Sequence, residues 1–257
     1  MELLVFYKSI MNTTGNKLHA GLATAGGSPL LRFTRMLIPG VAVLGFVLTT
    51  ALLMAGGASG DTPVPGDVEI RDAYYKSYGY EKGQNYADAI KAIAPVVSAY
   101  PQGYTVNLRL GWLYYLSGNQ ANSKVHYLAA IKSAPASIEA KLGYMLPLLA
   151  QERYEEVESV AKQVIRVDAS NYYANLRLAY ALRMQKKYDA SSELLIQLLT
   201  YYPTDVKFLT ELALVRVAQD QRESARRIFF DVLTLDPENV VAKEEISRHN
   251  KTVEQSK

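Results

Sequence analysis

Apolar positions along the chain follow two different patterns. Residues 36–55 form a continuous apolar stretch, MLIPGVAVLGFVLTTALLMA, without a charged side chain. From residue 70 onward, apolar positions recur at the three- and four-residue spacing of amphipathic helices, with short polar turns between them. The first pattern predicts one transmembrane helix and the second a helical body, so we expect an all-α chain.

The charges beside the apolar stretch predict its orientation. Arg32 and Arg35 precede it, and acidic residues follow it. Because basic residues stay on the cytoplasmic side, the sequence predicts a single-pass protein of the inner (cytoplasmic) membrane with a periplasmic body. Residues 1–35 are then a flexible cytoplasmic tail. A signal peptide cut after the small residues 56–60 is the alternative, and both interpretations place residues 61–257 outside the cytoplasm.

The body repeats itself at a period of 34 residues. The motif NLRL at 107–110 recurs at 175–178, and prolines at 101, 135, 203 and 237 are separated by multiples of the same interval. Each period holds two apolar helical stretches joined by a polar turn. The predicted segments are a linker 56–69, five units 70–103, 104–137, 138–171, 172–205 and 206–239, and a capping helix with a tail, 240–257.

Small and large residues occupy fixed places in these units. Three units carry Leu-Gly or Leu-Ala on the first helix, at 110–111, 178–179 and 212–213. A small residue, a large residue and a closing proline follow on the second helix. The pattern resembles the tetratricopeptide repeat family, which implies a right-handed α-solenoid. Pro95 and Pro147 fall inside expected helices, where we expect kinks rather than broken repeats.

The resemblance implies that the first helices line a concave groove for a protein or peptide partner. Tyr, Trp and Arg often anchor interfaces. The candidate groove residues are Tyr74, Tyr78, Arg109, Trp112, Tyr115, Leu146, Tyr173, Arg177, Tyr180 and Arg183. Arg109 and Trp112 share a helix face and are expected to stack. Arg109 and Arg177 occupy equivalent places, each expected to meet an acidic group of the partner. The competing interpretation is that many of these tyrosines pack between helices.

Composition argues against a metal site, a cofactor site and enzyme activity in this chain. There is no Cys, and the three histidines, His19, His126 and His249, lie far apart, so we expect no metal site. No phosphate-loop, dinucleotide-binding or hydrolase motif is present, so we expect no cofactor and no enzyme activity. The acidic run at 152–158 and the alternating charges at 220–227 are interpreted as a helix start and a solvated helix face.

Charge also argues against nucleic acid as a partner. The chain carries 28 basic and 25 acidic residues, and four basic and one acidic residue lie in the first 60 positions. The rest of the chain is therefore neutral and has no general attraction for phosphates.

These observations predict a membrane-anchored scaffold that mediates protein–protein interactions in an envelope assembly. Two alternatives stay open. A glycan- or polymer-handling module is one, because stacked Tyr and Trp also suit sugar rings. A homo-oligomer, in which one stack inserts an end into its neighbour's groove, is the other. Peptide binding through Arg109 and Arg177 would be sensitive to salt, whereas sugar binding would be insensitive to salt and lost with Trp112.

Overall fold

The structure is a computed structural model that describes the backbone of residues 65–255 and the side chains as far as Arg248. This part of the chain is all-helical, with eleven α-helices and no strand. The helices are α1 Asp67–Lys82, α2 Tyr86–Ala99, α3 Tyr104–Leu116, α4 Gln120–Ser133, α5 Ile138–Ala150, α6 Tyr154–Ile165, α7 Tyr172–Met184, α8 Tyr188–Tyr201, α9 Val206–Ala218, α10 Arg222–Leu235 and α11 Val240–Gln255.

Helix starts recur at an interval of 34 residues. This holds for the odd-numbered helices from α3 to α11 and for the even-numbered helices from α2 to α10. The turn inside each helix pair also repeats, because one residue per turn adopts a positive φ. These residues are Gln84, Gly118, Glu152, Lys186 and Asp220.

Helix α1 begins earlier than the period gives. It starts at Asp67, so residues 67–69 of the predicted linker are helical. The reason is local: the Gly66 backbone N–H donates to Glu69 Oε2 at 2.8 Å, and the acidic residues of the first turn complement the helix dipole. Three predicted segments lie outside the described residues: the tail 1–35, the span 36–55 and linker residues 56–64. His19 and the side chain of His249 lie outside them as well.

Helices pack in sequence order, which gives a solenoid-like stack. Each helix contacts the next one in the chain, and α3, α5, α7 and α9 also contact one another in succession. Helices α2 and α5 continue through Pro95 and Pro147. The last helix, α11, buries Val241 and Ala242. None of the described helices has the length and apolarity that a membrane crossing needs.

Close helix contacts depend on small residues. A Cβ at Gly111 would lie 2.8 Å from Tyr127 Cγ, and one at Gly143 would lie 2.2 Å from Tyr127 Cε1. The Tyr127 ring therefore fills a gap that only glycine leaves at these two places. Ser123 and Ser191 hold equivalent places one helix later, and each donates its hydroxyl to a carbonyl of the preceding first helix.

The repeated NLRL motif has a structural role at its asparagine. The Asn107 amide donates to the carbonyls of Pro101 and Gly103, each at 2.9 Å, and so ties the loop between units to α3. The equivalent Asn175 makes the same two bonds to its own loop. His126 Nδ1 donates to Asn107 Oδ1 at 2.9 Å, and burial lowers the pKa of this histidine. The His126 side chain is half-buried.

Candidate functional site

The candidate groove residues differ widely in accessibility. Tyr78 is 49% exposed, and Tyr74, Trp112 and Tyr173 are half-buried. The other six candidates are buried or nearly so. They are Arg109, Tyr115, Leu146, Arg177, Tyr180 and Arg183. The surface that a partner can reach is therefore smaller than the sequence predicts.

Arg109 is bound within the protein. Its guanidinium forms an ion pair with Glu81 and donates to Ser77 Oγ from Nε at 3.1 Å and from Nη2 at 3.0 Å. Both acceptors belong to α1. The Arg109 side chain is only 6% exposed, so this charge links the first and second units and is not free to meet a partner's carboxylate.

Trp112 does not stack on Arg109, contrary to the prediction. The Arg109 guanidinium lies over the Tyr78 ring, 3.9 Å from its centroid, while the Trp112 ring packs against Tyr115 at 5.8 Å. Trp112 Nε1 donates to Glu81 Oε1 at 2.8 Å. Glu81 therefore accepts from both the Arg109 guanidinium and the Trp112 indole.

A second ion pair joins the fourth and fifth units. Arg183 Nε donates to Glu211 Oε2 at 2.9 Å, and Arg183 Nη2 donates to Oε1 at 3.3 Å. Glu211 is buried, and the Arg183 guanidinium lies 5.1 Å from the centre of the Tyr180 ring. The pair uses the twelfth position of one unit and the sixth of the next. Glu81 and Arg109 hold these two positions with the charges reversed.

Arg177 also contacts the preceding unit. It occupies the sixth position of its unit, as Arg109 does, and its Nη1 donates to the Leu142 carbonyl. Side chains at this position therefore pack onto the unit before them. This explains why Tyr75, at the sixth position of the first unit, is 66% exposed: no repeat unit precedes it in the described part of the chain.

The basic character predicted for the groove is largely absent. Arg109 and Arg183 are neutralised by carboxylates from neighbouring units, and Arg177 is buried against a carbonyl. What stays accessible is aromatic. We call Tyr74, Tyr78 and Trp112 the aromatic surface. Its two tyrosine rings lie 6.5 Å apart, and burial raises the pKa of Tyr74, with the neighbouring Tyr78 adding to the effect.

A smaller accessible patch lies at the start of α7. The rings of Tyr172 and Tyr173 meet edge to face with centroids 5.4 Å apart. Lys207, half-buried on α9, has a pKa lowered by burial, against which the Asp205 charge acts. Among the described residues, no cluster of His, Asp or Glu has the composition of a metal site.

Glu158 is a second buried carboxylate, and the sequence pattern did not indicate its burial. Glu158, assigned to the acidic run of a helix start, is turned inward. Its oxygens accept from Lys162, Gln185 and Lys187 at 2.6, 2.9 and 2.8 Å. Burial alone would raise the pKa of Glu158, but these hydrogen bonds outweigh burial and lower it to about 2. Lys162, four residues later on the helix, was the available signal.

Most of the helix face 220–227 is exposed, as predicted, and Ala225 is buried at the small position of the repeat. Within this face the Nε atom of Arg226 is buried. Arg226 lies beside a cavity of about 110 Å³ between the last helix pair and α11. Alternating charge in the sequence did not indicate this cavity, because the residues that complete it come from a helix that begins after the fifth unit.

Comparison with known families identifies the repeat. A tetratricopeptide repeat profile matches residues 78–138, and a second profile of the same description matches residues 148–210. The chain carries tetratricopeptide repeats. A search of curated protein sequences found no match.

Solved structures show the same tetratricopeptide fold. MamA from Desulfovibrio magneticus RS-1 (residues 41 to the end) superposes with a TM-score of 0.61 at 15% identity, over 68% of this chain and 98% of that one. The MSR-1 form of MamA gives 0.55 at 22% identity, over 65% and 98%. YrrB, described as a tetratricopeptide protein with an unusual peptide-binding site, gives 0.57 at 10% identity, over 69% and 92%.

Proposed function

We propose that this protein is a scaffold that holds a protein or peptide partner on its first helices. The observation that carries the proposal is the aromatic surface. Tyr74, Tyr78 and Trp112 keep accessible ring area, although Arg109 beside them is paired with Glu81. Rigid aromatic rings supply contact area at low entropic cost, and buried internal pairs hold them in place. No turnover is part of this proposal.

The partner's chemistry follows from what is accessible. Because Arg109 is neutralised by Glu81, its long-range attraction for acidic groups is weak. We therefore expect a peptide segment with apolar or aromatic side chains that pack against Tyr78 and Trp112. The description of YrrB as having a peptide-binding site supports a peptide ligand on this fold. Lys207 on α9 is the position where an acidic side chain of the peptide would add specificity.

The proposed location is the periplasmic side of the inner membrane. Support comes from the uncharged 20-residue stretch 36–55 and from Arg32 and Arg35 before it. A scaffold on such an anchor would hold its partners close to the membrane, as an envelope assembly requires. Self-assembly stays a prediction, and the same aromatic surface would serve it.

A glycan ligand is the second candidate. The specific observation in its favour is that Tyr78 and Trp112 present rings without an unpaired arginine beside them. Sugar rings stack on such surfaces, and no ionic contact is needed. Competition with a neutral oligosaccharide separates this candidate from the peptide.

The test is crosslinking followed by pull-down from membranes. The intact chain is compared with a Tyr78→Ala/Trp112→Leu variant and with the control Tyr201→Ala, which removes a tyrosine that is 74% exposed on a second helix. We expect the double variant to lose a set of partners that the control keeps, with equal helical content by circular dichroism. Equal partner sets in all three would refute the aromatic surface as the binding site.

A further inference from the structure

A cavity of about 110 Å³ lies between the last helix pair and α11, away from the aromatic surface. One part of its lining is apolar, from Val217, Ala225, Phe229 and Ile246. The other part is charged, from Arg222, Arg226, Glu245 and Arg248. The lining holds three guanidinium groups and one carboxylate, and each guanidinium has an acidic neighbour: Arg222 pairs with Asp220, Arg226 approaches Glu223 and Arg248 pairs with Glu245.

Arg226, whose side chain is 40% exposed, carries one unsatisfied donor beside this cavity. Its Nε is buried and has no hydrogen-bond partner among the described residues. Its Nη1 lies 4.0 Å from Glu223 Oε2, and its guanidinium lies over the Phe230 ring at 5.0 Å. A buried donor without an acceptor is costly, and a guanidinium fork matches the two oxygens of a carboxylate.

The acidic groups near the cavity are engaged elsewhere. Glu245 is 15% exposed and forms an ion pair with Arg248, three residues away on the same helix. Asp220 accepts from Arg222 Nε at 2.9 Å and is 84% exposed. Among the side chains that the structure describes, neither carboxylate lies within ion-pair distance of Arg226, whose one such contact is the 4.0 Å approach of Glu223.

We propose that this cavity binds one carboxylate carried on a short apolar stem. The carboxylate accepts from Arg226, and the stem packs against Phe229 and Ile246. Since a cavity of roughly 150 Å³ accommodates benzene, 110 Å³ matches about four or five non-hydrogen atoms, which is the size of the stem without its carboxylate. A free short-chain acid and the C-terminal residue of a peptide share this chemistry.

The experiment is saturation-transfer NMR on the full chain with three probes. Isovalerate tests the free acid, N-acetylglycyl-valine tests a peptide C-terminus, and isovaleramide is the neutral counterpart. The variant is Arg226→Gln. The matched control is Arg227→Gln, because Arg227 is the next residue on the same helix, is exposed and does not line the cavity. Circular dichroism checks the fold of both variants.

We expect saturation transfer to isovalerate or to the valine peptide, none to isovaleramide, and at least a tenfold loss of affinity in Arg226→Gln alone. The stronger of the two acids identifies the source of the carboxylate. Three results would overturn the proposal: no transfer to either acid, equal binding by Arg226→Gln, or displacement of the acid by an equal concentration of inorganic phosphate. The last would show an anion site without a place for the stem. None of these results depends on the aromatic surface.

Discussion

Tyr127 shows how single residues set the spacing of helices in this stack. Its ring lies against Gly111 and Gly143, where an added Cβ would approach ring atoms to 2.8 and 2.2 Å. Most helical glycines lower stability relative to alanine by about 1 kcal/mol. At Gly111 and Gly143, alanine must instead lower the stability, because the Tyr127 ring is buried and cannot move aside without loss of packing.

Gly143→Ala should therefore destabilise the fold by about 1–3 kcal/mol, measured by urea denaturation. The control is Gly79→Ala, since a Cβ at Gly79 meets nothing within 4 Å. That change should stabilise by about 0.5–1 kcal/mol through helix propensity. Stabilisation by both substitutions would show that Tyr127 does not need the glycine.

Glu158 makes a contribution to stability that depends on pH. Its pKa is about 2 in the folded state against 4.5 in the unfolded chain. A lowered folded-state pKa stabilises above pH 4.5, and the contribution is lost as pH falls towards 2.

Glu158→Gln should cost about 2 kcal/mol at pH 7 and nearly nothing at pH 2, in urea titrations across this range. Glu155→Gln, exposed on the same helix, should cost little at either pH. A Glu158→Gln cost that is the same at pH 7 and pH 2 would mean that packing, and not the charge, carries the effect.

Ion pairs link neighbouring units at the same two repeat positions, the twelfth of one unit and the sixth of the next. The two pairs carry their charges in opposite order. Glu81 pairs with Arg109 between the first two units, and Arg183 pairs with Glu211 between the last two. Both pairs are largely buried, so removal of one partner leaves a charge without compensation.

Charge reversal tests the ion pair between the fourth and fifth units directly. Arg183→Glu and Glu211→Arg should each cost about 3 kcal/mol, and the double variant should recover most of that cost because it copies the polarity of the other pair. Thermal and urea unfolding of the four proteins give the coupling energy. Additive costs in the double variant would contradict a direct pair.

Features that nearby residues determine could be predicted from the sequence, whereas features that depend on distant residues could not. The 34-residue period of the sequence recurs in the helix starts after α1, because local patterns of small and apolar residues decide it. Exposure at the candidate site could not be predicted in the same way. Arg109 and Arg183 resemble interface anchors in sequence, but each is paired with a residue 28 positions away. Nothing local distinguishes a paired arginine from a free one.

At the scale of the whole molecule, one set of groups builds the stack and another stays accessible to a partner. Arginines and carboxylates join adjacent units, while Tyr78 and Trp112 keep their rings accessible. The cavity beneath α11 is a separate feature, for which we propose a ligand of its own. Binding at the aromatic surface should then depend on apolar contact and only weakly on ionic strength.

The most direct test of the central claim is the affinity for a captured partner between 50 and 500 mM NaCl, compared for the intact chain and Tyr78→Ala. If the aromatic surface binds the partner through apolar contact, we expect about a tenfold loss of affinity in the variant and less than a threefold change with salt in either protein. A steep fall in affinity with salt, together with an unchanged Tyr78→Ala, would show that charged groups elsewhere carry the interaction.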